Sequence, residues 1–286
     1  MPDNVIINEP VSRIKAVGRQ ALKGHWFTTI WVMLINIAIT SLPSIILTEL
    51  IKNNDNVLII AQVYSYLVIG PLNLGLSIYF LRMFRGEKAD QSDLLSGFQH
   101  FRNAFGLYIS VIVREVLWTF LFIIPGLVAI FRYSMAFFIL ADHPDYPPVK
   151  CIEESCRLMN GNKDKLFRLI LSLAGWFILA ELPRLAVDLY ARGYTVESFD
   201  PSNQETFRTI VDTVMLGPVT LWGFAAGAGL ILVEIYLNAS ECCFYDMLTE
   251  NIVFKVYEPE EVTETQLASE NEAAELIEET ENDENN

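Results

Sequence analysis

Four charged residues stand inside long apolar stretches of this chain: Arg114 and Glu115, then Arg132, then Glu181. A charge near the centre of a bilayer costs about 2.5 to 3.5 kcal/mol on insertion scales, so such side chains are expected to turn inward and pair. The run that holds Arg114 and Glu115 is joined by a tight reversal to the run that holds Arg132. Arg114 or Glu115 is therefore expected to meet Arg132, with Glu181 joining from the next run. Arg168 and Glu234 offer a second pair of opposite sign. Two kinds of chemistry fit this set. One is a polar intramembrane cavity that carries a substrate. The other is an ion-pair network that fixes helix register. The residue types alone leave both open.

Other reactive residues point to less. Cys151 and Cys156 lie five apart and Cys242 and Cys243 are adjacent. Neither spacing is a CxxC pair, and no histidine stands at zinc-ligand distance. All four read as small apolar fillers. Asp142-His143-Pro144-Asp145 carries two carboxylates and an imidazole, but this composition is that of a turn. There is no phosphate-binding glycine loop, no HExxH and no GxSxG. We expect no catalytic residues, no cofactor and no metal.

The elements that must position these residues follow from composition. Of 286 residues, 52% are hydrophobic and 19% charged, and mean hydropathy is +0.33. This is too apolar for an ordinary soluble domain. The net charge of −15 is concentrated at one end: Tyr257 to Asn286 holds twelve acids and no bases, leaving −3 for everything before it. The low pI of 4.6 thus describes a tail. A soluble enzyme, a nucleic-acid binder and a disulfide-stapled secreted domain are excluded. The expected fold class is all-α: a polytopic transmembrane helical bundle with three regions. Residues 1–24 form a basic amphipathic segment, 25–250 the transmembrane domain, and 251–286 an acidic tail too poor in apolar residues to order itself.

A bilayer core about 30 Å thick needs about 20 apolar residues of helix. Six spans are expected: Trp26 to Leu47; a stretch within Val57 to Phe84; two spans sharing Ala104 to Ala141; Leu166 to Tyr190; and Val214 to Leu237. The third and fourth are separated at Pro125-Gly126, where proline stops a helix and glycine permits a turn. The fourth, Leu127 to Ala141, is short. Six spans place both ends on one side. Twelve basic residues flank the spans on that side, including Arg13, Lys23, Arg82, Arg85, Lys150 and Lys165. Four stand on the other: Lys52, Arg184, Arg192 and Arg208. Positive charge stays inside, so both termini are expected in the cytoplasm.

Two segments read as lying on the membrane. In Val11 to Trp26, the residues Val11, Ile14, Val17 and Ala21 share one helical face and the basic residues surround it, which suits an anionic inner leaflet. In Ser92 to Arg102, Leu94, Leu95, Phe98 and Phe101 face the interface. Prolines Pro43, Pro71, Pro125, Pro183 and Pro218 recur in or beside the spans, and Gly70-Pro71 and Gly217-Pro218 read as similar local breaks.

One part of the sequence resembles a known family. Arg132-Tyr133-Ser134-Met135-Ala136, Ile139-Leu140-Ala141-Asp142, Pro144, Glu154-Ser155, Arg157-Leu158-Met159, Gly161-Asn162-Lys163, Leu166-Phe167, Gly175-Trp176 and Phe244-Tyr245 are similar to the signature of a bacterial integral-membrane family, domain of unknown function 975. Ala21 to Gly24 and Gly70 to Gly75 resemble its earlier part, so the resemblance covers residues 10 to 250. Val233 to Ala239 departs from it, lacking the tryptophan and Pro-Tyr pattern expected there. The resemblance implies a bacterial cytoplasmic membrane and no established activity. Physically, the signature reads as a cytoplasmic elbow. Pro147-Pro148 start a short helix, Val149 to Met159; Gly161 ends it in a left-handed cap; Asn162 or Asp164 caps the fifth span. Asp142, Gly161, Asn162 and Lys163 either shape this elbow or present a surface to a lipid headgroup or partner. The function expected overall is a non-enzymatic envelope component working through a membrane or cytoplasmic protein partner in the lipid bilayer. The alternative is a transporter or lipid-handling protein with a polar intramembrane cavity.

Overall fold

The computed structural model describes residues 5–50, 56–191 and 228–250, and every element among them is helical. The elements are α1 (Val11–Ala21), α2 (Trp26–Leu50), α3 (Asn56–Phe84), α4 (Ser92–Ser96), a 3-10 turn (Gly97–His100), α5 (Phe101–Leu121), α6 (Ile123–Tyr133), α7 (Ala136–Asp142), α8 (Pro148–Leu158), α9 (Lys163–Ala191) and α10 (Ala228–Leu248). Among the described residues, six stretches are long and apolar enough to cross a membrane: Trp26–Pro43, Ile59–Phe84, Ser92–Leu121, Ile124–Asp142, Lys163–Val187 and Ala228–Leu248. The fold is that of a multi-pass helical membrane protein. The acidic tail and the 192–227 connection, with Pro218, lie outside the described residues.

The best-buried residues gather at one end of the bundle, the end that carries α1 and α8. Tyr79, Phe80, Leu94, Met135, Cys242 and Phe244 are essentially inaccessible there. Towards the other end the spans turn apolar side chains outward, with Phe120 at 92% exposure and Ile124 at 77%. Such a surface is tolerable only against lipid or protein.

Four sequence expectations are corrected. The reversal between the third and fourth spans falls at Phe122, whose backbone is extended (φ −158°, ψ 142°), three residues before Pro125. Pro125 stands in the first turn of α6, where a missing N–H breaks no helical bond. Gly126 instead lets the hairpin close, since a Cβ there would strike Thr119. With the reversal at Phe122, the fourth span runs from Ile124 to Asp142 and is no longer short, although it is interrupted between α6 and α7.

The sixth span runs further than expected. Residues 214–227 are outside the described part, and α10 runs on past Leu237 to Leu248. Asn238, Ser240 and Glu241 look like a polar exit. Yet Asn238 and Ser240 return their side chains to carbonyls one turn back, Glu234 and Tyr236, and Cys242 to Leu248 are covered by other helices.

Gly70-Pro71 is no break: α3 passes through Pro71. Its glycines are seats for close packing. A Cβ on Gly75 would land on the backbone of Leu94, and one on Gly97 on the backbone of Pro71. The segment 92–100 is therefore pressed onto α3, with Leu94 fully buried while Leu95 and Phe101 face out.

Finally, the apolar face of α1 is spent on protein. Ile14, Val17 and Leu22 are buried, and Gly18 lies so close to α10 that an added Cβ would stand 3.2 Å from the Ser240 nitrogen. Arg19 and Lys23 remain exposed on the outer side.

Candidate functional site

The most developed polar site joins the ends of three spans. Arg85 follows the last turn of α3. Its Nη1 donates to Asp142 Oδ1 at 2.6 Å and its Nη2 to Asp142 Oδ2 at 2.9 Å, a two-toothed grip on the carboxylate that ends α7. The same Nη2 donates to Asp246 Oδ1 at 2.7 Å, on α10. The Tyr245 hydroxyl donates to Asp142 Oδ2 at 2.9 Å, while its ring stacks on Phe138 of α7 with centroids 5.4 Å apart. One guanidinium thus ties two carboxylates on helices that also meet through Tyr245. The hydrogen bonds it donates to Asp142, with the charge of Asp246, raise the pKa of Arg85 against an opposing effect of burial, so it is a fixed cation. The Asp246 side chain, only 2% exposed, is ion-paired to it. Beside this knot lies a cavity of about 250 Å³ whose wall includes Arg82, Arg85, His100 and Asp142.

A second cluster shapes the elbow. α8 begins as expected, with Pro147 extended and Pro148 at its first position. Its inward face places Cys151, Ile152, Ser155 and Leu158 against the bundle. Gly161 has φ +85°, the left-handed conformation that favours glycine. Asn162 is fully buried. Its Oδ1 accepts the Ile7 N–H at 2.9 Å, and its Nδ2 donates to Val5 O at 2.8 Å and Leu158 O at 2.9 Å. The side chain is consumed by the N-terminal segment and Leu158 instead of capping α9, where the Leu166 N–H donates to the Asn162 carbonyl. Lys165 continues the attachment by donating to Glu9 O at 3.0 Å. Of the elbow residues, Asp142 and Asn162 are therefore committed to partners inside the fold, while Gly161 sets the turn and Lys163 opens α9.

The intramembrane charges are not brought together. Arg114 donates to Ser110 O, on its own helix, at 2.9 Å. Glu115 is half-buried on α5. Glu181 pairs with Arg184 one turn along α9. Arg132 Nε donates to Cys156 Sγ of α8 at 3.0 Å, and the Ser155 hydroxyl donates to the Arg132 carbonyl at 2.9 Å. Arg132 thus belongs to the elbow. Among the described residues no ion pair joins Glu115 to Arg132 or Arg168 to Glu234; Arg168 pairs with Asp164.

The cysteines are free thiols. Burial pushes the Cys151 thiol up to about 11. Among the described residues no group of three or more His, Cys, Asp or Glu is placed to hold a metal ion. His143 stacks on Tyr146 at 4.5 Å instead.

Arg85, Tyr245 and Asp246 were not singled out as a set by the sequence. Arg85 looks like an ordinary positive flank. The one signal was Asp246, an acid among Cys242, Cys243, Phe244 and Leu248 that needs a partner if the helix continues.

The described geometry defines a class: an all-α, multi-pass membrane bundle with a polar knot and an elbow at one end. Residues 121–252 match the family model described as "Protein of unknown function (DUF975)". The match takes in Arg132, Asp142, the elbow, Tyr245 and Asp246. Ala21 to Gly24 and Gly70 to Gly75 lie before it, as do Arg85 and α1. No curated protein matches the chain, and no solved structure does.

Proposed function

We propose that this chain is a non-enzymatic component of a bacterial cytoplasmic membrane, with both termini in the cytoplasm, that works through protein partners. The observation that carries the reading is how its polar groups are spent. Asp142, Asp246 and Asn162 are each consumed by contacts that lock helix ends together. Arg114 and Glu181 bond within their own helices. This is the economy of a scaffold. The inside assignment rests on the basic residues of 82–102 and 150–165, which accompany α1 at the elbow end, and on the excess of positive charge expected there. The acidic region 251–286 supplies a charged arm for a partner.

The test is purification in native lipid from the source membrane. A protein present at fixed stoichiometry, and lost when 251–286 is deleted, supports the scaffold. A small molecule retained at unit stoichiometry, and lost in Glu181→Gln or Arg114→Gln, replaces it with the transport or lipid-handling reading.

A further inference from the structure

A groove of about 400 Å³ is lined by residues of α1, α2, α9 and α10. Its floor and walls are apolar: Leu173 and Trp176 from α9, Leu232 and Val233 from α10. Its rim is not. Trp26, the first residue of α2, and Tyr236 stand there with Arg19 of α1.

The rim is held in place by specific contacts. The Tyr236 hydroxyl donates to Lys15 O at 3.0 Å, fixing α1 to α10. The Arg19 guanidinium lies 5.9 Å from the Tyr236 ring centroid and donates to its hydroxyl at the outer limit of 3.5 Å. That leaves most of its five N–H donors unused. Arg19 is exposed, and among the described residues it has no carboxylate partner, unlike Arg13, which pairs with Glu9 at 3.2 Å. Tyr236 keeps the Arg19 charge in place, raising its pKa.

Depth orders these groups. Leu232 lies one helical turn, about 6 Å, further along α10 than Tyr236, away from the elbow end. Trp26 and Tyr236 are ring types that favour the headgroup level. The groove therefore presents a cation and aromatic rings at its rim and an apolar trough beneath, with no carboxylate in its lining among the described residues. That order is the complement of an anionic phosphodiester above acyl chains. It offers nothing to a choline or ethanolamine ammonium except aromatic faces.

We infer that this groove is a binding site for one anionic glycerophospholipid, with Arg19 on the phosphate and the first acyl segments along Leu173, Trp176 and Leu232. The inference goes beyond the scaffold reading and requires only that the chain sits in a membrane.

The test reconstitutes the full chain in nanodiscs of three parts phosphatidylcholine to one part phosphatidylglycerol, then reads retained lipids by native mass spectrometry. Phosphatidylglycerol should be enriched over the bulk ratio by about fivefold, the contribution of one basic residue at an anionic surface. Arg19→Gln should return the ratio to bulk, while Arg19→Lys and Arg13→Gln keep it. A second readout uses a variant in which Trp31, Trp118 and Trp222 are phenylalanine, which keeps the two groove tryptophans. Brominated phosphatidylglycerol should quench Trp26 and Trp176 more than brominated phosphatidylcholine, and Arg19→Gln should abolish the difference. A wild-type bulk ratio overturns the inference, as does a preference that survives Arg19→Gln or equal quenching by the two lipids. None of those results touches the scaffold reading, which stands or falls on the partner.

Discussion

Arg85 and Asp246, 161 residues apart in sequence, form a 2.7 Å ion pair that ties the end of the second span to the sixth. Asp142 closes the other side of the same guanidinium. The three residues come from separate elements, so the knot forms only when α3, α7 and α10 are all in place.

Arg85→Ala should therefore be among the most damaging single changes in the chain. It takes the Arg85 cation away from the buried Asp246 carboxylate, and breaking a buried pair from one side costs about 3 to 5 kcal/mol. Arg85→Lys should recover only part of this, because an ammonium cannot reproduce the two-toothed grip on Asp142. Thermal unfolding in detergent would show it; equal midpoints for wild type and Arg85→Ala would refute the role. The pH dependence has a definite sign. A group whose folded pKa is raised contributes stability that is lost only as pH rises through that value. For Arg85 it lies beyond the ordinary arginine range, so alkaline pH should not undo the knot.

Asn162 should behave as a clamp. Asn162→Ala removes three hydrogen bonds at a fully buried position and leaves the Ile7 N–H and the Val5 and Leu158 carbonyls without it. A buried polar group so abandoned costs about 1 to 3 kcal/mol. The local signature is faster amide exchange at Ile7 and earlier proteolysis before Val11. Unchanged exchange at Ile7 would mean the segment is held by other contacts.

The spans were legible because an apolar window of about 20 residues is a local property. Their ends were less so. Phe122 carries no turn chemistry, whereas Pro125-Gly126 advertises a turn it does not make. Asn238, Ser240 and Glu241 suggest an exit, while the contacts that cover Cys242 to Leu248 come from elsewhere in the chain. The elbow was legible in outline, since Pro147, Pro148 and Gly161 act locally. What Asn162 grips was not, because Val5 and Ile7 are more than 150 residues away. The Arg85 knot was invisible for the same reason.

The cysteines should separate cleanly by reactivity. Cys151 is fully buried, and a pKa raised from 9.0 to about 11 leaves about 100-fold less thiolate near neutral pH than an unperturbed thiol. Cys242 and Cys243 are also inaccessible. Only Cys156 is half-exposed. A maleimide should label the folded chain once and the denatured chain four times, and mass spectrometry should place the single label on Cys156. Labelling of Cys151 before unfolding would contradict the buried face of α8. Because the unfolded chain gives up the Cys151 proton at lower pH than the folded one, stability should also fall from about pH 9 to about pH 11.

Gly97 tests the contact between the 3-10 turn and α3. Gly97→Ala puts a methyl group onto the Pro71 backbone, which no rotamer change can relieve. Overpacking of this kind costs about 1 to 3 kcal/mol. Gly86→Ala is the contrast, with φ +73° but open space around it. It should cost less, since only the left-handed backbone is disfavoured. Membrane levels and thermal midpoints that rank the two in the opposite order would remove the packing argument.

Arg132 separates the sequence expectation from the geometry. If it neutralised Glu115 across the α5–α6 hairpin, exchanging the two residues would restore protein lost in either single change. The structure gives Arg132 a different neighbourhood: its Nε reaches Cys156 and its carbonyl accepts from Ser155, both on α8. Arg132→Glu should then fail because it withdraws the donor from Cys156 and sets a carboxylate beside that sulfur. Glu115→Arg should act separately, on α5. The double exchange should be no better than the worse single variant in membrane abundance. Arg132→Lys should retain more protein than Arg132→Glu, since it keeps a donor for the sulfur. Recovery in the double exchange would return the pair to the centre of the bilayer and place α8 elsewhere.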